Sequence, residues 1–417
     1  MLSAIGLSHK SAPLSIREPL AFAEAELPAV LPALHALPGV REILLLSTCH
    51  RTEVYVVSED NPPIDAVAST LGRLRGVDVA GFFSYLVILR SDDAVRHVLR
   101  VAAGLESMVL GEPQVLGQVR RAYAAARLAG TSGPVLNRLM QVAIGAGRRV
   151  RAETKLGGHG ASVPHAVVAC CRAHWRGVAG RRAIIVGAGE MAALLAKTFT
   201  SAGGSVAAIA NRTADHAAGL AQRYQAPVIG MGEIAFRLGG ADAVMVSVGS
   251  EHPVLTVTDL ARADRPVLVV DIGVPRGVDQ AVVRVPGVTL YDLDGLAPYT
   301  GQGPTTDDLS AAQGIVEESY EAFIRWLGSR AAVPLIAELH RLAGTIVEEE
   351  LLRARGRLEG LDERQRMAVR GVVEGALRKL LHAPFVRLRA RGDDARALEL
   401  ARELFDLDGA VPEDEAS

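Results

Sequence analysis

One cysteine, Cys49, stands in the run "LLLSTCHRTEVYV", where an apolar strand pattern gives way to hydroxyl and cationic side chains. Polar groups at the end of a strand are where function concentrates. A guanidinium or a protonated imidazole beside a thiol favours the thiolate, the nucleophilic form. His50 and Arg51 are therefore expected to lower the Cys49 pKa and make the thiol reactive. Two plainer readings stand beside this one, a buried core thiol and a metal ligand. No Cys or His lies nearby at ligand spacing, so no metal site is expected.

The second chemical signal is Gly187-Ala188-Gly189-Glu190-Met191-Ala192, a G-x-G-x-x-A string after the apolar run Ala183–Val186. In a strand–turn–helix context the first glycine makes the turn and the second lets the backbone approach a pyrophosphate. The alanine keeps helix and strand close, and the helix N-terminus offers N–H donors to the anion. The next strand pattern ends in Asn211-Arg212-Thr213. An NAD site carries Asp or Glu there to hold the ribose 2′-hydroxyl; an arginine suits a 2′-phosphate. NADPH is the expected cofactor, against the alternative of a glycine turn without a ligand. A thiol with a dinucleotide suits reduction of an acyl group to an aldehyde: the thiol takes the acyl group as a thioester, whose carbonyl accepts hydride.

These groups need elements to hold them. Residues 1–156 read as mixed α and β, with strands "EILLLST" and "EVYVVS" among Ala/Leu-rich helices. Asp92-Asp93 open a helix whose stripe is Val95, Val98, Leu99 and Ala102. His97 points off that stripe, toward a cleft or toward water. "GGHGAS" (157–162) reads as a hinge. Residues 157–305 read as a Rossmann-like parallel sheet with helices on both faces, built on "RRAIIV", "SVAAIA", "ADAVMVSVGS" and "RPVLVVDIGVPR". Residues 306–417 show no strand pattern. Leu309, Ala312, Val316, Tyr320, Phe323 and Leu327 mark a long amphipathic helix, with Pro334 expected to interrupt it. That stripe points to dimerisation or to packing on the chain's own domains. The expected architecture is thus an α/β multidomain chain: an N-terminal α+β domain, a parallel-sheet NADPH domain, and an all-α C-terminal domain joined by a long helix.

The bulk numbers set limits. At 417 residues the chain needs two or three domains. No run approaches the roughly 20 apolar residues of a membrane span, and the N-terminus has no basic leader, so a cytoplasmic location is expected. Three cysteines make no disulfide framework, and Cys170 and Cys171 read as buried apolar residues. A net charge of −2 leaves any nucleic-acid contact to local patches. Candidates are Arg120, Arg121 and Arg127, the 148–155 group, and Arg378 to Arg391; each alone also reads as a solvated helix face. The tail "PEDEAS" reads as disordered.

Several separated blocks carry a resemblance: "GLSHKSAPLSIRE", "STCHRTEVY", "VRHVLRVAAGLESMVLGEPQVLGQVR", "VGAGEMA", "ANRT" and "DIGVPR", in that order. The sequence resembles the glutamyl-tRNA reductase family over nearly its whole length. The resemblance implies NADPH-dependent reduction of glutamyl-tRNA to glutamate-1-semialdehyde, the first committed step of tetrapyrrole synthesis, with Cys49 attacking the ester. It places Thr48, His50 and Arg51 in the substrate-binding stretch, with Arg51 suited to a substrate carboxylate. Ser107, Glu112, Pro113, Gln114 and Gln118 match the remaining glutamate-recognition block, with Glu112 suited to the α-ammonium group. His97 matches the family's activity-critical histidine. The resemblance also implies a homodimer through the C-terminal helices, handover of the aldehyde to an aminomutase, and control by haem. One departure stands out: His50 replaces the Asn of the family's S-T-C-N-R-T-E. Two rivals need no covalent thiol: an NADP-dependent dehydrogenase of the shikimate type, which shares the glycine turn and "NRT", and a non-enzymatic NADPH sensor, which would keep the sheet.

Overall fold

A computed structural model describes the chain except residues 157–161, 251, 301–304, 393 and 408–417. The proposed hinge, apart from Ser162, and the acidic tail lie outside the described residues. The chain divides into two compact units, Met1–Ser319 and Tyr320–Ser417.

The first unit holds two sheets. The N-terminal sheet is antiparallel with order β2-β3-β1-β4, where β1 is Leu2–Ser8, β2 Val40–Ser47, β3 Arg51–Ser58 and β4 Val87–Arg90. Ile43 to Leu46 of β2 are all buried, because helices Leu27–His35, Pro113–Leu128 and Pro134–Glu153 pack against it. Ser47 pairs with Thr52 across β2 and β3, so Thr48, Cys49 and His50 form the tip of a tight hairpin, closed by Thr48 N donating to Arg51 O at 2.8 Å. The helix Ser91–Ala102 buries Val95, Val98, Leu99 and Ala102 as its spacing predicts.

The second sheet is parallel, with order β10-β9-β8-β5-β6-β7. Its strands are β5 Arg182–Val186, β6 Ser205–Ala210, β7 Val228–Ile229, β8 Ala243–Val246, β9 Val267–Asp271 and β10 Val288–Tyr291. Strand order reverses at β5, and ligands of such sheets bind beyond the strands' carboxyl ends at that point. Apolar layers cover both faces. Cys170 and Cys171 are buried in one of them, on the helix Val163–Trp175.

A helix of 48 residues runs from Thr306 to Arg353. Its first turns are tied to the first unit by Glu317 to Arg96 at 2.8 Å and Glu318 to Arg149 at 3.0 Å. Ala312 and Val316 of the expected stripe are buried within the single chain. Pro334 does not interrupt the helix, contrary to expectation. Ala332, Leu335, Ile336 and Leu339 on both sides of it bury against Leu381, Phe385 and Ala401, and this packing outweighs one missing backbone donor. The second unit adds helices Glu363–Ala390 and Ala395–Leu404. Among the described residues no helix is long and apolar enough to cross a membrane.

Candidate active site

The hairpin tip presents Cys49 half-buried, packed with Met108, Ala188, Met191 and Val274 around one apolar cluster that spans both sheets' domains. The thiol and the glycine turn, 138 positions apart in sequence, thus border the same apolar cluster. The expected lowering of the thiol pKa is not what the structure holds. Burial pushes the Cys49 thiol up to about 12, with the charge of Glu112 adding to it; Arg17 and Arg51 pull the other way and do not prevail. His50 supplies no positive charge, because burial and then the electrostatic influence of His9, Arg17 and Arg51 push its imidazole down to about 3. Arg51 is 2% exposed and already paired, Nη1 to Glu53 Oε1 at 2.8 Å and Nη2 to the carbonyl of Glu106. Its two terminal nitrogens hold the protein's own oxygens.

Glu53 is the centre of that network. Its Oε1 also accepts from His97 Nε2 at 3.0 Å, and its Oε2 from Tyr55 Oη at 2.7 Å. Burial alone would raise its pKa, but Arg51 and then His97 hold it at about 2, so it is a carboxylate. His97 lines a cavity of about 230 Å³ with Ser8, Lys10, Glu53 and Glu106. Of the two readings of its position, the cleft is the one realised. Glu106 accepts from Arg100 Nε at 2.6 Å and from Lys10.

Both ring nitrogens of His50 lack a hydrogen-bond partner among the described residues, at 5% exposure, with the His9 ring edge-on at 5.6 Å. Below about pH 6.5 the unfolded chain protonates this imidazole and the native chain does not, so native stability falls with acidification. His50→Asn removes that loss. The variant is expected to gain on wild type by about 1.4 kcal/mol per pH unit from roughly pH 6 to 4 in urea midpoints. A gap that stays constant with pH would mean the imidazole titrates as it does in water.

The recognition block follows the helix that carries His97. Ser107 and Glu112 are buried; Pro113 opens the helix Pro113–Leu128, on which Gln114 and Gln118 lie half-buried one turn apart. Gln114 Nε2 reaches Met191 Sδ at 3.9 Å, so this block also touches the glycine turn. Burial raises Glu112 to about 7. Arg151 donates to the carbonyl of Pro113 at 2.7 Å, and Arg149 pairs with Glu153 and Glu318. Two members of the 148–155 basic group are thus engaged internally, whereas Arg120 is exposed.

Gly187 has φ +117°, and a Cβ there would stand 2.8 Å from Ser247 Oγ and 3.0 Å from Val248 Cγ1. Only glycine fits. Gly189 precedes the helix Glu190–Ser201 and opens on free space, with Ala192 fully buried behind it. Asn211 Nδ2 donates to Thr213 O at 2.8 Å, and Arg212 is exposed beside it. Backbone donors at a helix start, room above them and a guanidinium beyond the second strand fit a phosphorylated dinucleotide. Among the described residues no His, Cys, Asp or Glu cluster could hold a metal.

Sequence reasoning did not single out Glu53, Arg17, Glu18, Arg276, Asp271 or Asp294. Asp271 is fully buried and accepts from Gly273 N and Val278 N, both at 2.9 Å, fixing the loop after β9; burial raises it to about 7. "DIGVPR" and "SIRE" carried that signal only as strings in a resemblance.

A parallel sheet wound in the dinucleotide-binding order, with its glycine turn facing a thiol-bearing α+β domain, is the architecture of an NAD(P)-dependent oxidoreductase. Residues 5–154 match the glutamyl-tRNA reductase N-terminal domain, 171–298 the shikimate/quinate 5-dehydrogenase domain, and 311–407 the glutamyl-tRNA reductase dimerisation domain. Glutamyl-tRNA reductase of Syntrophotalea carbinolica is 38% identical over 97% of this chain and 94% of its own; that of Rubrobacter xylanophilus is 37% identical over 98% and 97%. The chain belongs to the glutamyl-tRNA reductase family, enzymes of the first step of tetrapyrrole synthesis. A solved structure, glutamyl-tRNA reductase from Methanopyrus kandleri, is 27% identical over 98% of this chain and 99% of that one, with TM-score 0.49. The shikimate-type likeness is confined to one domain, which sets that rival aside.

Proposed function

We propose that this chain reduces glutamyl-tRNA to glutamate-1-semialdehyde with NADPH through a thioester on Cys49. The observation that carries this is that Cys49 and Met191 pack against one apolar cluster, with Gln114 of the recognition block reaching Met191 of the glycine turn at 3.9 Å. Cys49 Sγ attacks the ester carbonyl, the bond to the tRNA ribose oxygen breaks, and that oxygen leaves with a proton. The thiol is protonated in the free protein, so its proton must leave as the bond forms. Glu112, poised near neutrality, takes full negative charge when the substrate's α-ammonium lies against it. Glu53 fixes the orientation of His97, which then stands ready to orient the substrate or move a proton at the ester. NADPH, held by Gly187–Ala192 and Asn211–Thr213, would supply the hydride that releases the aldehyde and the thiolate.

Arg212 is the group for the 2′-phosphate. Arg212→Ala is expected to raise the KM for NADPH about tenfold or more, the weight of one lost charge-assisted contact, and to leave the KM for NADH unchanged. Equal effects on both cofactors would remove Arg212 from cofactor choice.

The domains are 1–156 for glutamate and thiol chemistry, 157–305 for NADPH and 306–417 for self-association. Leu352, Met367, Val372 and Leu380 are exposed on the C-terminal helices, which supports a homodimer through that region. The tRNA acceptor end must reach the hairpin tip, and affinity for tRNA should fall with salt. We place the protein in the cytoplasm, with an aminomutase consuming the aldehyde. The test is to incubate the protein with radiolabelled glutamyl-tRNA in the absence of NADPH. Label on protein, released by hydroxylamine and chased to aldehyde by NADPH, supports the proposal; no adduct with aldehyde still formed defeats it.

A further inference from the structure

The segment Leu14–Glu18 joins the antiparallel-sheet half of the first unit to the parallel-sheet half. Asp294, which follows β10, accepts from Leu14 N at 2.8 Å through Oδ2 and pairs with Arg17 Nη2 through Oδ1 at 2.5 Å. The other arm of the same guanidinium, Nη1, donates to the main-chain oxygen of Cys49 at 2.6 Å, and Nε donates to Ala12 O at 3.0 Å. All three Arg17 nitrogens are thus engaged, at 2% exposure. The adjacent Glu18 pairs with Arg276 Nε at 2.6 Å and with its backbone N–H. That second ion pair joins the same two halves without touching Cys49.

We infer that Arg17 is a positioning residue that ties the placement of Cys49 to the docking of the parallel-sheet half. A guanidinium is a flat, rigid fork. With one prong on Asp294 and the other on the Cys49 carbonyl, a shift of Asp294 is carried to the hairpin tip. The nucleophile is thereby set in place when the dinucleotide half is docked, before any hydride is needed. The inference rests on the thioester reading above.

Its test compares Asp294→Asn, Arg17→Lys and Glu18→Gln with wild type in two measurements. The first is single-turnover acylation by glutamyl-tRNA without NADPH. Asp294→Asn and Arg17→Lys are expected to acylate about tenfold more slowly, and Glu18→Gln within about twofold of wild type. Asp294 lies in the half that binds dinucleotide, so its effect on a step that uses none is the signature. The second is hydrogen exchange of the Leu44–Val56 peptide, which needs neither substrate. It should quicken in Asp294→Asn and Arg17→Lys and stay unchanged in Glu18→Gln. Unchanged exchange in Asp294→Asn, or an equal effect of Glu18→Gln, overturns the role of Arg17. Wild-type protein that takes no label overturns the thioester reading, and the exchange measurement still decides for or against Arg17.

Discussion

Cys49→Ser is expected to lower reduction of glutamyl-tRNA by about 10³-fold or more while leaving tRNA affinity unchanged. The argument is chemical. A serine oxygen is a poor nucleophile without a dedicated base, and an ester on serine is a far poorer hydride acceptor than a thioester. The geometry adds to it. The hairpin tip is held by backbone bonds, Thr48 N to Arg51 O and His9 N to His50 O, both at 2.8 Å, so a near-isosteric oxygen would not disturb the fold. The thiol is not stored as a thiolate: burial and Glu112 keep its proton on. An attacking thiol that ionises only on demand is protected from alkylation and oxidation until substrate arrives. Acylation monitored by retained label and affinity by filter binding give the two readouts. Serine variant protein that still reduces at even a tenth of the wild-type rate would show that the sulfur is a bystander.

The elements that were legible in the sequence are those with strong periodicity or a sharp turn. The buried strands β5, β6, β8 and β9 stood out as short apolar runs bounded by polar residues. The helix Ser91–Ala102 showed its stripe, and the turn at Gly187 followed from the need for a positive φ beside a close neighbour. Strand β1 did not stand out, although it sits between β3 and β4. Its residues Leu2 to Leu7 are buried on both faces, and the fully buried Ser3 and the small Gly6 break any alternation. The site was legible only as residue types. Cys49 was visible from its own type and setting, His97 and Glu112 only through the resemblance, and the charge states of Cys49 and Glu112 depend on burial and on neighbours that arrive from elsewhere in the chain. Arg17 lies 277 residues from Asp294, and no local pattern announces that pair. The expected thiolate failed for the same reason. Adjacency in sequence suggested that Arg51 serves Cys49, whereas the alternation of β3 turns its side chain to Glu53, two residues on and on the same face.

Glu53 carries the second large effect. Glu53→Ala is expected to destabilise the first unit by about 3–5 kcal/mol, the usual cost of leaving a buried charge without its partner. Arg51 is the stranded charge, and Tyr55 Oη and His97 Nε2 lose their acceptor at the same time. Glu53→Gln keeps the shape and an acceptor oxygen, so its loss should be smaller. Pairing it with Arg51→Met should recover part of that loss, since the two charges then vanish together. The pH dependence separates charge from shape. Glu53 is held at about 2, below its unfolded value, so its contribution is present above about pH 4.5 and is lost as pH falls toward 2. The stability gap between wild type and Glu53→Gln should therefore narrow over that window in urea titrations. The same variant should reduce turnover about 10²-fold with tRNA binding intact, because His97 loses its orientation in the cavity it lines with Lys10 and Glu106. Wild-type turnover in Glu53→Gln would separate the two roles: the carboxylate would then hold the sheet together and leave the chemistry of His97 untouched.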